Sequence, residues 1–456
     1  MGLKHENSRR TFLKKSLGAA AVAGFPAIVP SSVFGQNSPS NRINVGAIGV
    51  GRISRGHDLP GIWQHDIARI MAVCDLDSKR VELGKKLING HYAEKSGKPY
   101  DGVTGYSGYQ DLLANKDIDA VVISTPDHQH AICAVAAVRA GKDVYLQKPA
   151  SLTIAEGRFL SDTVQKSGRI FQIGSQQRSW KQFHRACELV RNGRVGQLKH
   201  VEIGLPGDPS GPEAPEMPVP PNLNYDAWLG STPMKYYTEM RVHPQNDFSR
   251  PGWLRCEQFG AGMITGWGAH HVDTAHWGMD TERTGPVEIW GTAEFPTSGL
   301  WNVHGKFKTD AVYANGVTMS ISGDYPNGIK FYGSEGWIFV TRDELVTDSD
   351  PVRGAKVEPL VASNPKILTS VIGPNEIHLY ESSEHHLNWL ECIRSRRETI
   401  APVEIAHRAC STCLLHHIAM KTKRRLHWDP AKERFNGDDA ANAMLSRPQR
   451  APYTLG

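Results

Sequence analysis

The chain has 456 residues, more than one ordinary domain needs, so two are expected. Basic residues barely outnumber acidic ones (52 against 47), and five of the cations (Lys4, Arg9, Arg10, Lys14, Lys15) cluster at the start beside one acid, Glu6. The remainder is close to neutral and has no basic patch interleaved with aromatics, so charge gives no case for a nucleic-acid partner.

Residues 8–14 read Ser-Arg-Arg-Thr-Phe-Leu-Lys ahead of a mildly apolar stretch broken by Pro26 and Pro30. Residues 1–35 are therefore expected to be a twin-arginine export signal, cut near Gly35, that delivers a folded protein to the periplasm. The stretch is too short and interrupted for a membrane span.

An apolar strand (Ile43, Val45, Ile48) then runs into Ile-Gly-Val-Gly-Arg-Ile-Ser at 48–54, and a second strand (Ile70, Met71, Val73) closes at Asp75. That is the layout of a dinucleotide-binding βαβ unit. Gly49 supplies the tight turn, Gly51 lets the backbone approach a pyrophosphate, and Arg52 and Ile53 open the helix whose free N–H groups favour anions. Ser54 takes the third small position. Asp75 can accept from ribose hydroxyls and repels a 2′-phosphate, favouring NAD over NADP, although Arg80 follows closely.

Residues 41–165 continue as alternating strands and helices, with strands at Ala120–Ser124 and Asp143–Leu146. These end in Thr125-Pro126-Asp127-His128-Gln129-His130 and in Gln147-Lys148-Pro149. Ligands bind beyond the carboxyl ends of such strands, so Thr125, Pro126, His130, Gln147 and Lys148 are expected beside the cofactor.

From 166 to 378 the texture is that of a mainly antiparallel open sheet, with strands at 200–203, 287–292, 317–322 and 336–341. Seven prolines within 204–221 predict a long irregular loop. Residues 379–456 hold two helices and a polar tail expected to wrap the surface. The seven cysteines are scattered and odd in number, which argues against a disulfide framework, and Cys410 and Cys413 read as core residues. No metal site is expected, because His270, His271 and His276 lack a defined third ligand partner.

Three stretches in order carry a family resemblance: Thr125-Pro-Asp-His128, Gln147-Lys-Pro149, and Gly266-Trp-Gly-Ala-His-His-Val-Asp-Thr-Ala-His-Trp277. Together they resemble the Gfo/Idh/MocA family of sugar and cyclitol dehydrogenases over essentially the whole chain after the signal. The resemblance implies a Rossmann doubly wound parallel sheet followed by a second α/β domain with an open, mainly antiparallel sheet. It also implies a homo-oligomer. By position, Lys148 matches the lysine that polarises the reacting hydroxyl or carbonyl, and His270 the general acid/base. Asp273 matches the acid of the His-x-x-Asp motif; at helical spacing, 270, 273 and 277 share a face, so Asp273 and Trp277 would flank the histidine. Two positions depart from the family: Gln147 replaces its glutamate, and Gly266 replaces an aspartate.

Hydride loss from a secondary alcohol requires removal of the hydroxyl proton, which suits a histidine beside a lysine. Aromatics (Trp180, Phe183, Trp228, Tyr236, Tyr237, Trp253, Trp267, Trp277) crowd the expected substrate region. They suit pyranose faces and favour a neutral sugar over a small charged acid. Arg178, His243 and Arg255 are candidates for its hydroxyls, with Trp253 as a platform. The expected activity is NAD-dependent oxidation of a sugar or glycoside at a ring hydroxyl, C3 by resemblance. The alternatives are a glycosidase that uses bound NAD transiently and a vestigial sugar-binding protein.

Overall fold

The computed structural model describes residues 42–342 and 356–455. The expected export signal and its cleavage point lie outside the described residues.

Six short strands, β1 (Ile43–Ile48), β2 (Ala68–Cys74), β3 (Thr104–Tyr106), β4 (Ala120–Ile123), β5 (Asp143–Leu146) and β6 (Phe171–Ile173), form one sheet in the order β3-β2-β1-β4-β5-β6. Every pair is parallel. Strands β4 and β5 are buried at every residue, because crossover helices cover both faces of such a sheet. The helices carry local signals that stop and start them. Asp77 caps Ser78–Ser96, and a Thr153/Glu156 capping box opens Ile154–Ser167, which ends at Gly168 in the left-handed region. Strand order reverses between β1 and β4, and the crevice beyond their carboxyl ends is the switch point where such folds hold ligands.

The second sheet has nine strands in the order β13-β12-β11-β7-β10-β9-β8-β14-β15. They are β7 (Leu198–Gly204), β8 (Pro286–Ala293), β9 (Phe307–Tyr313), β10 (Thr318–Ser322), β11 (Gly328–Gly333), β12 (Trp337–Val340), β13 (Leu360–Ala362), β14 (Leu426–Asp429) and β15 (Arg434–Phe435). Only β7 and β10 pair in parallel; the other pairs are antiparallel. In β9, Phe307, Thr309, Ala311 and Tyr313 are buried and alternate with more accessible residues, the period of a sheet covered on one face. Helices Gly268–Met279 and Val403–Thr422 pack on it.

The segment after 379 departs from expectation. Helix His385–Ser395 drives Trp389, Leu390, Cys392 and Ile393 into the core of the first sheet, beside Val45 and Ile70. The tail does not simply wrap the surface: Leu426, Trp428, Phe435 and Ala441 are buried, and β14 and β15 extend the second sheet. Its apolar residues are too sparse to form a periodic run, so the sequence reads as polar. Residues 205–220 are irregular, as the prolines predict. All seven cysteines are free and buried, Cys410 and Cys413 in the core on helix Val403–Thr422. Among the described residues no helix is long and apolar enough to cross a membrane.

Candidate functional site

The turn after β1 is shaped by a backbone requirement. Gly49 has φ +86°, and a Cβ there would lie 2.7 Å from the Ser124 carbonyl oxygen, so β1 and β4 approach as only glycine permits. The chain then enters a helix whose residues Ser54–Asp58 form a π turn before Leu59–Trp63. Ser54 is fully buried, as its small size allows. Asp75 is aimed by the backbone: Oδ2 accepts from Val50 N at 2.8 Å and Oδ1 from Asp77 N at 3.0 Å. Gly49, Gly51, Arg52, Ile53 and Asp75 all line one cavity of about 740 Å³. A glycine turn open to the cavity, a helix start and a fixed carboxylate fit a dinucleotide, with NAD's phosphates at Gly51–Ile53 and a ribose at Asp75. Arg80 also lines this end. It donates to Pro244 O and, with Arg55, lies over the Phe248 ring.

Thr125, Pro126, His130, Gln147 and Lys148 line the opposite wall of the same cavity. The His130 ring nitrogens face Pro149 O at 2.6 Å and Thr125 O at 2.9 Å, so the imidazole ties the two strand-end turns together and has no nitrogen left for a ligand. Gln147 Nε2 donates to Asp58 Oδ1 at 2.7 Å. Asp58, fully buried, also accepts from Ser124 Oγ and pairs with His386 at 3.2 Å. The charge missing from position 147 is thus present one contact away, and a glutamate there would face a carboxylate.

Lys148 Nζ donates to Gly266 O at 2.6 Å. The family's acid at 266 is replaced by a backbone oxygen, and the cavity wall supplies a carboxylate from elsewhere: Asp127, buried at the start of helix Asp127–Arg139. Burial pushes the Lys148 ammonium down from its ordinary pKa and the Asp127 carboxyl up, and each charge partly offsets the other's shift. His270, at the start of helix Gly268–Met279, lines the cavity with Nδ1 unpartnered. Burial, then the charges of Arg342 and Lys148, hold its pKa well below the ordinary value, so it is a neutral imidazole able to accept a proton.

Three expected substrate residues are elsewhere. Arg178 and Asp273 do not line the cavity. They form a buried bidentate ion pair at 2.7 and 2.8 Å, and Arg178 also pairs with Glu282 at 2.8 Å and lies over Trp277 at 4.9 Å. Asp273 and Trp277 therefore flank Arg178 rather than His270. Helical spacing showed a shared face but not what packs on it. Arg255 likewise pairs with Asp208 and lies over Trp301. His243 does line the cavity, but its Nε2 is engaged by Asp77 Oδ2 at 3.0 Å, next to the nucleotide end, so it ties a loop there instead of meeting a sugar hydroxyl. Of the aromatics, Trp180, Trp228, Trp253 and Trp267 face the cavity, while Phe183, Tyr237 and Trp277 are buried away from it. His271 and His276 are occupied by Asn327 and Tyr313. Sequence reading missed Asp127 as a site residue, although it sits inside the quoted Thr125–His128 motif. It also missed Arg342 and Tyr453, which no motif signals.

Residues 43–175 match the oxidoreductase family's NAD-binding Rossmann fold, and residues 210–348 and 373–455 match its C-terminal alpha/beta domain. A glycosyl hydrolase family 109 protein of Shewanella amazonensis is 33% identical over 209 residues, 42% of this chain and 45% of that protein. An inositol 2-dehydrogenase of Salmonella paratyphi B is 29% identical over 158 residues, 34% of this chain and 43% of that enzyme. The chain thus spans less than half the length of these curated relatives. The fold is similar to that of the WlbA dehydrogenase from Bordetella pertussis, solved with NADH and UDP-GlcNAcA (TM-score 0.59, 17% identity, 85% of this chain and 99% of that one). It is also similar to an aldose-aldose oxidoreductase from Caulobacter crescentus (TM-score 0.57, 18% identity, 85% and 99%). With both domains matched in sequence and the glycine turn and Asp75 forming the cradle of the first, the chain belongs to the Gfo/Idh/MocA family of oxidoreductases and its Rossmann domain binds NAD.

Proposed function

We propose that the protein oxidises a secondary ring hydroxyl, C3 by family resemblance, of a sugar or glycoside. The observation that carries this reading is the convergence of Lys148, Asp127 and His270 on one cavity wall, continuous with the nucleotide cradle. NAD, when bound, supplies the hydride acceptor. Lys148 uses one N–H on Gly266 O and has donors left to hold the substrate oxygen as its charge develops. Neutral His270, on the cavity lining, takes the hydroxyl proton. Asp127 keeps the lysine's charge balanced in a buried wall. Trp253 offers an apolar platform for a ring face.

Mass spectrometry of purified protein incubated with paired α- and β-glycosides tests the reading. The expected product is lighter than its substrate by two hydrogens and is absent with Lys148→Ala; turnover that survives that substitution overturns the assignment. The glycosyl hydrolase family 109 relatives support a second reading, cleavage of a glycosidic bond after transient oxidation. A 3-keto group acidifies the neighbouring C–H and permits such an elimination. Free monosaccharide without net redox change would select it, and sugar binding with neither product would leave only a binding role. The twin-arginine run supports export, tested by fractionating cells that express Arg9→Lys/Arg10→Lys. Self-association, implied by the family, is tested by light scattering.

A further inference from the structure

One cation of the cavity has no carboxylate counterpart among the described residues. Arg342 is the second residue beyond β12, and the residue before it is anchored twice: Thr341 N donates to Pro359 O at 2.9 Å and Thr341 Oγ1 to Asn327 O at 2.6 Å. The Arg342 guanidinium lies over the Trp267 ring at 4.5 Å and the Trp180 ring at 5.1 Å, and all three residues line the cavity with His270. Its Nε is sealed from solvent and has no acceptor among the described residues. Burial is the influence on its pKa, pushing it down to about 10, and no carboxylate among the described residues offsets that.

Three other buried arginines have anions or acceptors: Arg178 has Asp273 and Glu282, Arg255 has Asp208, and Arg80 has Pro244 O. The charges of Arg342 and Arg52 both bear on Lys148, and that of Arg342 bears also on His270. A nicotinamide carries no negative charge that would satisfy it. A guanidinium held on aromatic faces presents its N–H edge as a fork, the geometry that meets two oxygens of one anionic group. A partly buried cation left unpaired beside the reacting groups is costly to the folded protein and is offset when an anion binds.

We infer that the substrate is an acidic sugar, bearing a carboxylate or sulfate group that Arg342 grips while Lys148 and His270 address a ring hydroxyl. This rests on the sugar reading above and narrows it, replacing the neutral sugar suggested by the aromatics alone. The aromatic lining remains the platform for the ring, and Arg342 makes the choice between neutral and acidic members of one sugar series.

The test uses NAD-loaded, full-length protein and sugars in matched sets: methyl glucoside, methyl glucuronide and methyl glucoside 6-sulfate, with the same three in the galacto and manno series. Binding is followed by calorimetry and by tryptophan fluorescence, since Trp180 and Trp267 lie under the guanidinium. In at least one series an acidic member is expected to bind about 10- to 100-fold tighter than its neutral partner, the range of a charge-assisted pair. Arg342→Gln should abolish that ratio. Arg342→Lys, which keeps the charge but not the fork, should retain part of it, and this guards against reading a misfolded variant as support. Whether the uronide or the sulfate ester shows the gain identifies the anion. Neutral sugars that bind as well as acidic ones, or a preference that survives Arg342→Gln, would overturn the proposal alone. A wild-type protein that binds no sugar of any series would overturn the sugar reading and this proposal with it.

Discussion

His270 and Lys148 show how position in the fold, rather than residue type, sets the chemistry of a side chain. In water a histidine titrates near pH 6.5 (about) and a lysine near about 10.4. Here burial lowers both, and His270 is depressed further by the cations around it. A base must be neutral to accept a proton, so a lowered pKa extends its working range to more acidic solution. The kcat/KM for sugar oxidation is therefore expected to hold through pH 6.5 and fall only at lower pH. A half-maximal point at or above the ordinary histidine value in the pH profile would show that His270 is not the base. His270→Asn should lower kcat/KM by about 100-fold or more, the usual share of a positioned base. The histidine and lysine were legible from their motifs. Asp127 lay in a quoted motif too, but nothing in a one-dimensional string says that it is sealed beside a lysine 21 positions further along.

Helix His385–Ser395 illustrates how an element far along the chain completes a site near its beginning. Glu384 caps it by accepting from His386 N and Leu387 N, which aims the His386 side chain at Asp58 under the Gln147 amide. Burial alone would lower the His386 pKa, but Asp58 and Glu384 outweigh it and raise it to about 9. Because the folded value exceeds the unfolded one of about 6.5, this pairing adds stability in full below about pH 6.5 and loses it as pH rises through 9. Denaturant unfolding at intervals from pH 6 to 10 should show that decline, and His386→Gln should flatten it; an unchanged slope in the variant would place the titration elsewhere. Helix Gly268–Met279 carries a separate structural pair on the side away from the cavity. Arg178→Met leaves Asp273 buried without its partner, and a loss of about 3–5 kcal/mol is expected in the same assay. A loss well below 1 kcal/mol (about) would mean the site relaxes or takes up a proton. The two helices were visible in the apolar spacing of Leu387, Leu390 and Ile393 and of Leu414, Leu415 and Ile418. Their partners were not, since amphipathic spacing marks an inward face without saying what it meets.

Over the whole molecule, the carboxyl-terminal tail binds the two parts of the chain together. Arg447 pairs with Glu156 at 3.1 Å, Arg450 with Asp226 at 2.6 Å, and Tyr453, which donates to Asp226 at 2.9 Å, lines the NAD cavity. Deleting residues 447–456 is expected to lower the melting temperature by several degrees and to weaken NAD retention through gel filtration. A truncated protein that holds NAD as the full chain does would show that Tyr453 is a bystander. What the amino-acid sequence determined by itself was local: the glycine turn, the acid closing β2, the alternation of strand and helix, and the Lys-Pro and His-x-x-Asp motifs. Each depends on neighbours within a few residues, and short-range sterics and hydrogen bonding decide it. The tertiary structure decided which charges are paired. Arg178 and Arg342 are alike in sequence, yet one is buried on two carboxylates and the other stands over two indoles facing the cavity. That difference is made by contacts between segments up to hundreds of residues apart, and only the folded chain brings them within reach.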